Sequence, residues 1–202
     1  MAILTIQPSS KDTFIRENWP TTNFGSETYL QLTDKIDVVR RCLLEFDIST
    51  LPSGESINSI TLMLYYYSYS GDDPDGIQVK AYKLIRNDWV ELQATWEIYK
   101  TGSDWTADGG DYVTSDPAGA TLVMPGSYGW VSFNVKAIVD DAVANEWSVA
   151  EFLIRLASED VDDYSILFYS NNYTGDTSLC PKLVIDYEPP PAAGRSFGFI
   201  IG

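Results

Sequence analysis

Tyr65, Tyr66, Tyr67 and Tyr69 crowd one strand-like run, and flat aromatic faces of this kind are what sugar rings stack on. Period-2 alternation puts Tyr65, Tyr67 and Tyr69 on one side of a sheet and Tyr66 on the other, so one side of the run belongs to the core. Trp105, in a long aromatic stretch, is a further carbohydrate candidate. Asp72, Asp73 and Asp75 share the turn Gly71–Gly76 and offer oxygen ligands to a hard cation such as Ca²⁺. That turn lacks an EF-hand's spacing and closing Glu, and a solvated hairpin tip is the alternative; Glu159–Asp163 is a second loop of this kind. Arg195, Phe197, Phe199, Ile200 and Ile201 form an apolar end beyond the spacer Glu188–Gly194. Exposed apolar side chains need a cover, so this end reads as a segment that docks on another chain, as in a homo-oligomer; folding back onto its own domain is the other reading.

Other chemistry is excluded by composition. The 202 residues contain no His, which removes His-based triads, the commonest general base and imidazole metal sites. Two Cys build no thiolate zinc cage, and Cys42 and Cys180 read as buried free thiols rather than a disulfide. With 13 Lys and Arg against 29 Asp and Glu, the net charge of −16 repels phosphate backbones and anionic lipid, so neither nucleic acid nor membrane is an expected partner. A glycosidase-type carboxylate pair is not identifiable from sequence among so many acids. No cofactor is expected beyond Ca²⁺ at the Asp72 turn. The opening Met1–Ile6 lacks the basic and apolar regions of a secretory signal, and no stretch reaches the roughly 20 apolar residues of a membrane span.

The elements that must position these residues are mostly strands. Alternating or β-branched runs cover 2–7, 13–16, 29–33, 40–46, 56–69, 78–84, 129–134, 152–157, 165–169 and 182–187, separated by Gly, Pro, Asn and Asp turns. Val135, Ile138, Val139, Ala142 and Val143 recur at helical spacing behind Asn134, a suitable N-cap. Leu44, Phe46 and Ile48 alternate inward. About ten short strands need two packed layers, so the expected fold is an all-β, jelly-roll-like β-sandwich with one short helix. The sandwich spans 1–187, followed by the spacer and extended tail of 188–202. The stretch from Gln93 to Ala120 is rich in Trp, Tyr, Gly and Asp, and reads as a long loop pinned by its own aromatics or as a functional loop.

Several strings occur in an order that resembles a known family. Lys11-Asp12-Thr13-Phe14-Ile15, Pro20–Gly25, Arg41–Ile48, Leu51–Leu62, Trp89-Val90-Glu91 with Thr95-Trp96, and Pro181–Tyr187 are together similar to DNRLRE-type domains. These are β-sandwich modules akin to the disaggregatase-related repeats of archaeal surface proteins. The resemblance implies a jelly-roll-like sandwich, carbohydrate binding in several members, and no catalysis. Physically, Asn23 and Gly25 suit left-handed turn positions, and Trp89 and Trp96 read as core pins rather than sugar platforms. Two functions follow as expectations. One is a non-catalytic component of a virion or similar extracellular assembly, anchored by the tail and in contact with glycans. The alternative is a carbohydrate-binding module of a secreted or cell-surface protein.

Overall fold

Strands that alternate apolar and polar must each hide one face, and the chain does this by curling one antiparallel sheet back on itself. The computed structural model describes residues 1–52, 54–114 and 120–189. Within them run β1 (Ala2–Ile6), β2 (Lys11–Arg16), β3 (Tyr29–Thr33), β4 (Arg40–Asp47), β5 (Ser56–Gly71), β6 (Gln78–Lys83), β7 (Ile98–Lys100), β8 (Ser103–Asp104), β9 (Ala120–Val123), β10 (Gly129–Asn134), α1 (Lys136–Ala144), β11 (Val149–Leu156), β12 (Tyr164–Tyr169) and β13 (Lys182–Glu188). The order is β1-β13-β5-β12-β3-β4-β11-β6-β9, with β10 on β5, β2 on β4, and β7–β8 a separate hairpin. One layer holds β1, β13, β5, β10 and β12; the other holds β2, β4, β11, β6 and β9. β3 joins them, laddered to β12 and touching β4 through the single pair Thr33 and Arg40. This is the expected all-β sandwich with one short helix, and each expected strand is present; β7, β8 and β9 are additional, too short for alternation to reveal.

The main core lies between the layers. Leu44, Phe46 and Ile48 meet Ile60, Leu62, Leu64 and Tyr66 of β5, together with Phe133, Phe152, Phe168 and Ile185. A second cluster lies outside the sandwich, on the far face of β4 and β11. There Ile15, Leu43 and Leu153 are covered by Trp89, Trp96 and Trp105 from the long loop that follows β6. Burial on both faces explains why β4 reads as a nearly unbroken buried run.

α1 falls where the helical spacing placed it, with two differences. Val135, not Asn134, occupies the N-cap position without a side-chain cap, although Asn134 Oδ1 accepts the Lys136 N–H at 3.3 Å. Val143 is exposed rather than on the buried face, which Ile138, Val139 and Ala142 form. Among the described residues no helix is long and apolar enough to cross a membrane.

Candidate functional site

β5 is long enough to take three partners. β13 and then β12 run along one edge, and β10 pairs along the other from Thr61 to Tyr66. Ile60, Leu62, Leu64 and Tyr66 point into the core, so Thr61, Met63, Tyr65 and Tyr67 face outward. The alternation then breaks. Phe168 pairs with Tyr66 while Leu167 pairs with Ser68, so Tyr67 is a bulge and the parity of the strand reverses after it. Tyr69 therefore returns to the inner side, against the core and beside Tyr128 at 6.3 Å, and the expectation that it shares a face with Tyr65 and Tyr67 is corrected.

The residues that complete the outer face come from other strands. Trp130 of β10 lies edge-on to Tyr65 at 5.4 Å. Tyr169 of β12 stacks on Tyr67 at 4.2 Å and lies 5.9 Å from Tyr65. Tyr173, in the turn after β12, stacks on Tyr169 at 3.8 Å with planes 13° apart. Tyr67 and Tyr169 are stacked across adjacent strands, so their rings stand upright, with edges and hydroxyls outward. The hydrogen bond with Tyr173, together with burial, pushes the Tyr169 phenol up to about 12. All five rings are partly exposed. Cations border the row. Lys182 Nζ lies 3.6 Å from the Trp130 ring centre. At the other end, Arg16 and Arg40 sit directly opposite each other on β2 and β4 and both act on Tyr29, the cross-strand partner of Tyr169. Burial, and the neighbouring Arg16, lower Arg40 to about 10. None of these three cations forms an ion pair among the described residues.

Sequence reasoning found Tyr65 and Tyr67 but missed Trp130, Tyr169 and Tyr173. Alternation within 129–134 and 165–169 already put Trp130 and Tyr169 opposite the buried Val131 and Phe168; what it lacked was the strand order that brings them beside β5.

The other aromatic candidates are structural. Trp105 is 4% exposed and its Nε1–H donates to the Thr95 carbonyl at 2.9 Å, so its ring offers no platform for a sugar. Trp89 and Trp96 are core pins, as read. Trp89 Nε1–H donates to Glu151 Oε2 at 2.6 Å, and Trp96 lies under the Arg41 guanidinium, which grips Glu159 with two hydrogen bonds. Glu151 faces Glu45 across β11 and β4, and Lys11 Nζ lies 2.5 Å from Glu45. Burial, and Glu45 beside it, push Glu151 up to about 9, so its carboxyl is protonated at neutral pH. This carboxylate pair lies beneath Trp89, itself 1% exposed, where no sugar reaches it.

Glu91, the acid of the same motif, is a tether. Its Oε1 accepts the Asp12 N–H at 2.9 Å and Asn171 Nδ2 at 3.1 Å, while Asn23 Nδ2 donates to the Glu91 and Ala94 carbonyls, each at 2.7 Å. Neither Asn23 nor Gly25 takes the expected left-handed conformation. Gly25 is required by close approach instead: a Cβ there would meet the Glu91 carbonyl oxygen at 2.2 Å.

Asp72, Asp73 and Asp75 do not converge with other acids, and among the described residues no group of three or more Asp, Glu, Cys or His is arranged to hold a metal. Asp73 Oδ1 accepts the Asp75 N–H at 3.1 Å within its own turn. Cys42 and Cys180 are buried free thiols. Arg195, Phe197, Phe199, Ile200 and Ile201 lie outside the described residues.

The profile of carbohydrate-binding module family 96 matches residues 4–187, so the chain belongs to that family. No curated protein matches the chain.

Proposed function

We propose that this member of carbohydrate-binding module family 96 holds a polysaccharide across the outer face of β10, β5 and β12, in the manner of an accessory module and without catalysis. The observation that carries this reading is the aromatic row on the solvent side of the sheet, in which Trp130 meets Tyr65, Tyr65 meets Tyr169, and Tyr169 stacks on both Tyr67 and Tyr173. Stacking fixes the tyrosine rotamers before ligand arrives, so little side-chain entropy is lost on binding. The upright rings offer edges and hydroxyls to sugar hydroxyls, and the Trp130 indole offers a face once Lys182 moves aside. Lys182, Arg16 and Arg40 flank the row and have no carboxylate partner among the described residues of a chain of net charge −16, which favours a glycan bearing acidic groups over a neutral one.

Family membership favours the carbohydrate-binding alternative over the virion-component reading. The closer likeness to DNRLRE-type modules, and a place outside the cell where polysaccharide is met, belong to this same proposal. A glycan array followed by calorimetric titration of each hit tests it. Binding that falls at least tenfold (about 1.4 kcal/mol) in Trp130→Ala and in Tyr169→Ala is the expected result. No binding to any glycan, or variants that bind as the parent does, would overturn it.

A further inference from the structure

Tyr173 reaches the aromatic row only because the turn from Ser170 to Tyr173 is pinned from three sides. Ser170 Oγ donates to the Glu27 carbonyl at 2.7 Å and Asn172 Nδ2 to the Gly25 carbonyl at 2.9 Å. The Tyr173 N–H closes the turn on the Ser170 carbonyl at 3.2 Å. The third pin is Asp12 of β2, whose Oδ2 accepts the Asn171 N–H at 2.8 Å and the Ser9 hydroxyl at 2.7 Å.

Asp12 is 1% exposed, and its Oδ1 is buried with no hydrogen-bond partner among the described residues. The titratable groups facing it are Glu91 from the long loop, Cys42 from β4 and Cys180 beyond the turn, all of which ionise to anions. The two hydrogen bonds to Oδ2 favour the carboxylate, but burial outweighs them and Glu91 adds to it, which brings Asp12 to about 7. The neutral acid suits this pocket. The carboxylate has an orphaned oxygen and an anionic neighbour, and hydration through an opened turn relieves both.

We propose that Asp12 is a positioning residue for the glycan face: its neutral carboxyl keeps the Ser170–Tyr173 turn docked on β2 and Tyr173 stacked on Tyr169, and its ionisation lifts the turn and removes that ring from the row. The binding half of this proposal rests on the glycan reading above; the conformational half does not. Gly175 gives an independent handle on the same ring. A Cβ at Gly175 would meet the Tyr173 hydroxyl oxygen at 2.4 Å and Cζ at 2.7 Å, so Gly175→Ala displaces Tyr173 without touching Asp12.

The full chain is titrated between pH 5 and 8, below the range in which Glu151 ionises. One readout needs no ligand: near-UV circular dichroism of the stacked tyrosines, with exchange of the Asn171 amide. The other is affinity for pectate, whose carboxyl groups stay ionised throughout. In the parent chain the tyrosine signal falls and Asn171 exchange rises through one transition near pH 7, and pectate affinity drops at least threefold. In Asp12→Asn all three are flat, and Gly175→Ala shows the high-pH signal already at pH 5. A flat tyrosine signal in the parent, or a transition that survives in Asp12→Asn, overturns the proposal. If Asp12→Asn does not fold, the parent titration and Gly175→Ala decide: an Asn171 amide protected alike at pH 5 and 8 overturns it. A tyrosine transition without pectate binding at either pH supports the Asp12 latch and counts against the glycan reading alone.

Discussion

Over β4 and β11 the outer face of the sheet lies beneath a loop that buries Trp89, Trp96 and Trp105 to 1%, 8% and 4% exposure, whereas over β5, β10 and β12 Trp130, Tyr65, Tyr67, Tyr169 and Tyr173 stay partly exposed. Both faces carry aromatics and cations. On the covered face the cations are spent on internal carboxylates: Lys11 on Glu45, and Arg41 and Arg155 on Glu159. On the other, Lys182 lies against Trp130 and Arg16 and Arg40 lie by Tyr29, and among the described residues none of the three forms an ion pair. The comparison teaches that the motifs on which the sequence resemblance rested mark the scaffold. Lys11-Asp12, Asn23 with Gly25, Trp89-x-Glu91 and Thr95-Trp96 hold a loop to a sheet, and the proposed binding face uses none of the rings among them.

Exchanging the two tryptophans breaks the comparison most directly. Trp89→Ala opens the second core and removes the indole donor from Glu151, and is expected to cost roughly 3–5 kcal/mol of unfolding free energy in a denaturant titration. Trp130→Ala is expected to leave that midpoint within about 1 kcal/mol of the parent while lowering glycan affinity. If Trp130→Ala unfolds the chain and Trp89→Ala leaves it intact, the assignment of scaffold and site is reversed.

Acid–base titration sharpens the covered side. Asp12 and Glu151 hold their protons in the folded chain up to about 7 and about 9, above their ordinary values of 3.8 and 4.5. The unfolded chain releases these protons near pH 4, so the stabilisation is fully present below that and is lost as pH rises through about 7 and then about 9. The expected fall from pH 4 to 9 is on the order of a few kcal/mol. Asp47, Asp88 and Asp176 have lowered values from local hydrogen bonds and act oppositely, losing stability only at strongly acid pH. Denaturation midpoints against pH should show the decline, and Glu151→Gln should flatten its upper part. A midpoint that rises steadily from pH 5 to 9 would contradict protonated Asp12 and Glu151.

A smaller effect is expected on the open side. Lys182→Ala should reduce affinity for an acidic glycan roughly threefold and weaken its dependence on salt, with no change in melting. Unchanged affinity at low salt would remove Lys182 from the site. The smallest effect is expected at the Asp72 turn, where adding Ca²⁺ to chelated protein should leave the melting curve in place; a rise would restore the cation reading of Asp72, Asp73 and Asp75.

The sequence alone determined the strands and the number of layers, because period-2 alternation is local and a chain with so many half-apolar strands has to bury them face to face. It also marked Trp89 and Trp96 as pins, since indoles are usually largely buried, but it offered Trp105 of the same loop as a sugar contact, and only its 4% exposure in the fold makes it a third pin. Tertiary structure decided which aromatics share the outer face proposed to bind glycan. Tyr69 left the expected face because one unpaired residue at Tyr67 reverses the parity of everything after it, and bulges follow from the partner strand's register, not from β5 itself. Trp130, Tyr169 and Tyr173 joined Tyr65 and Tyr67 only through strand order, since β10 and β12 lie far along the chain from β5. Whether an acid carries a proton was decided the same way: Glu151 is an ordinary glutamate in the sequence, and only burial under Trp89 and antiparallel pairing opposite Glu45 raise it to about 9.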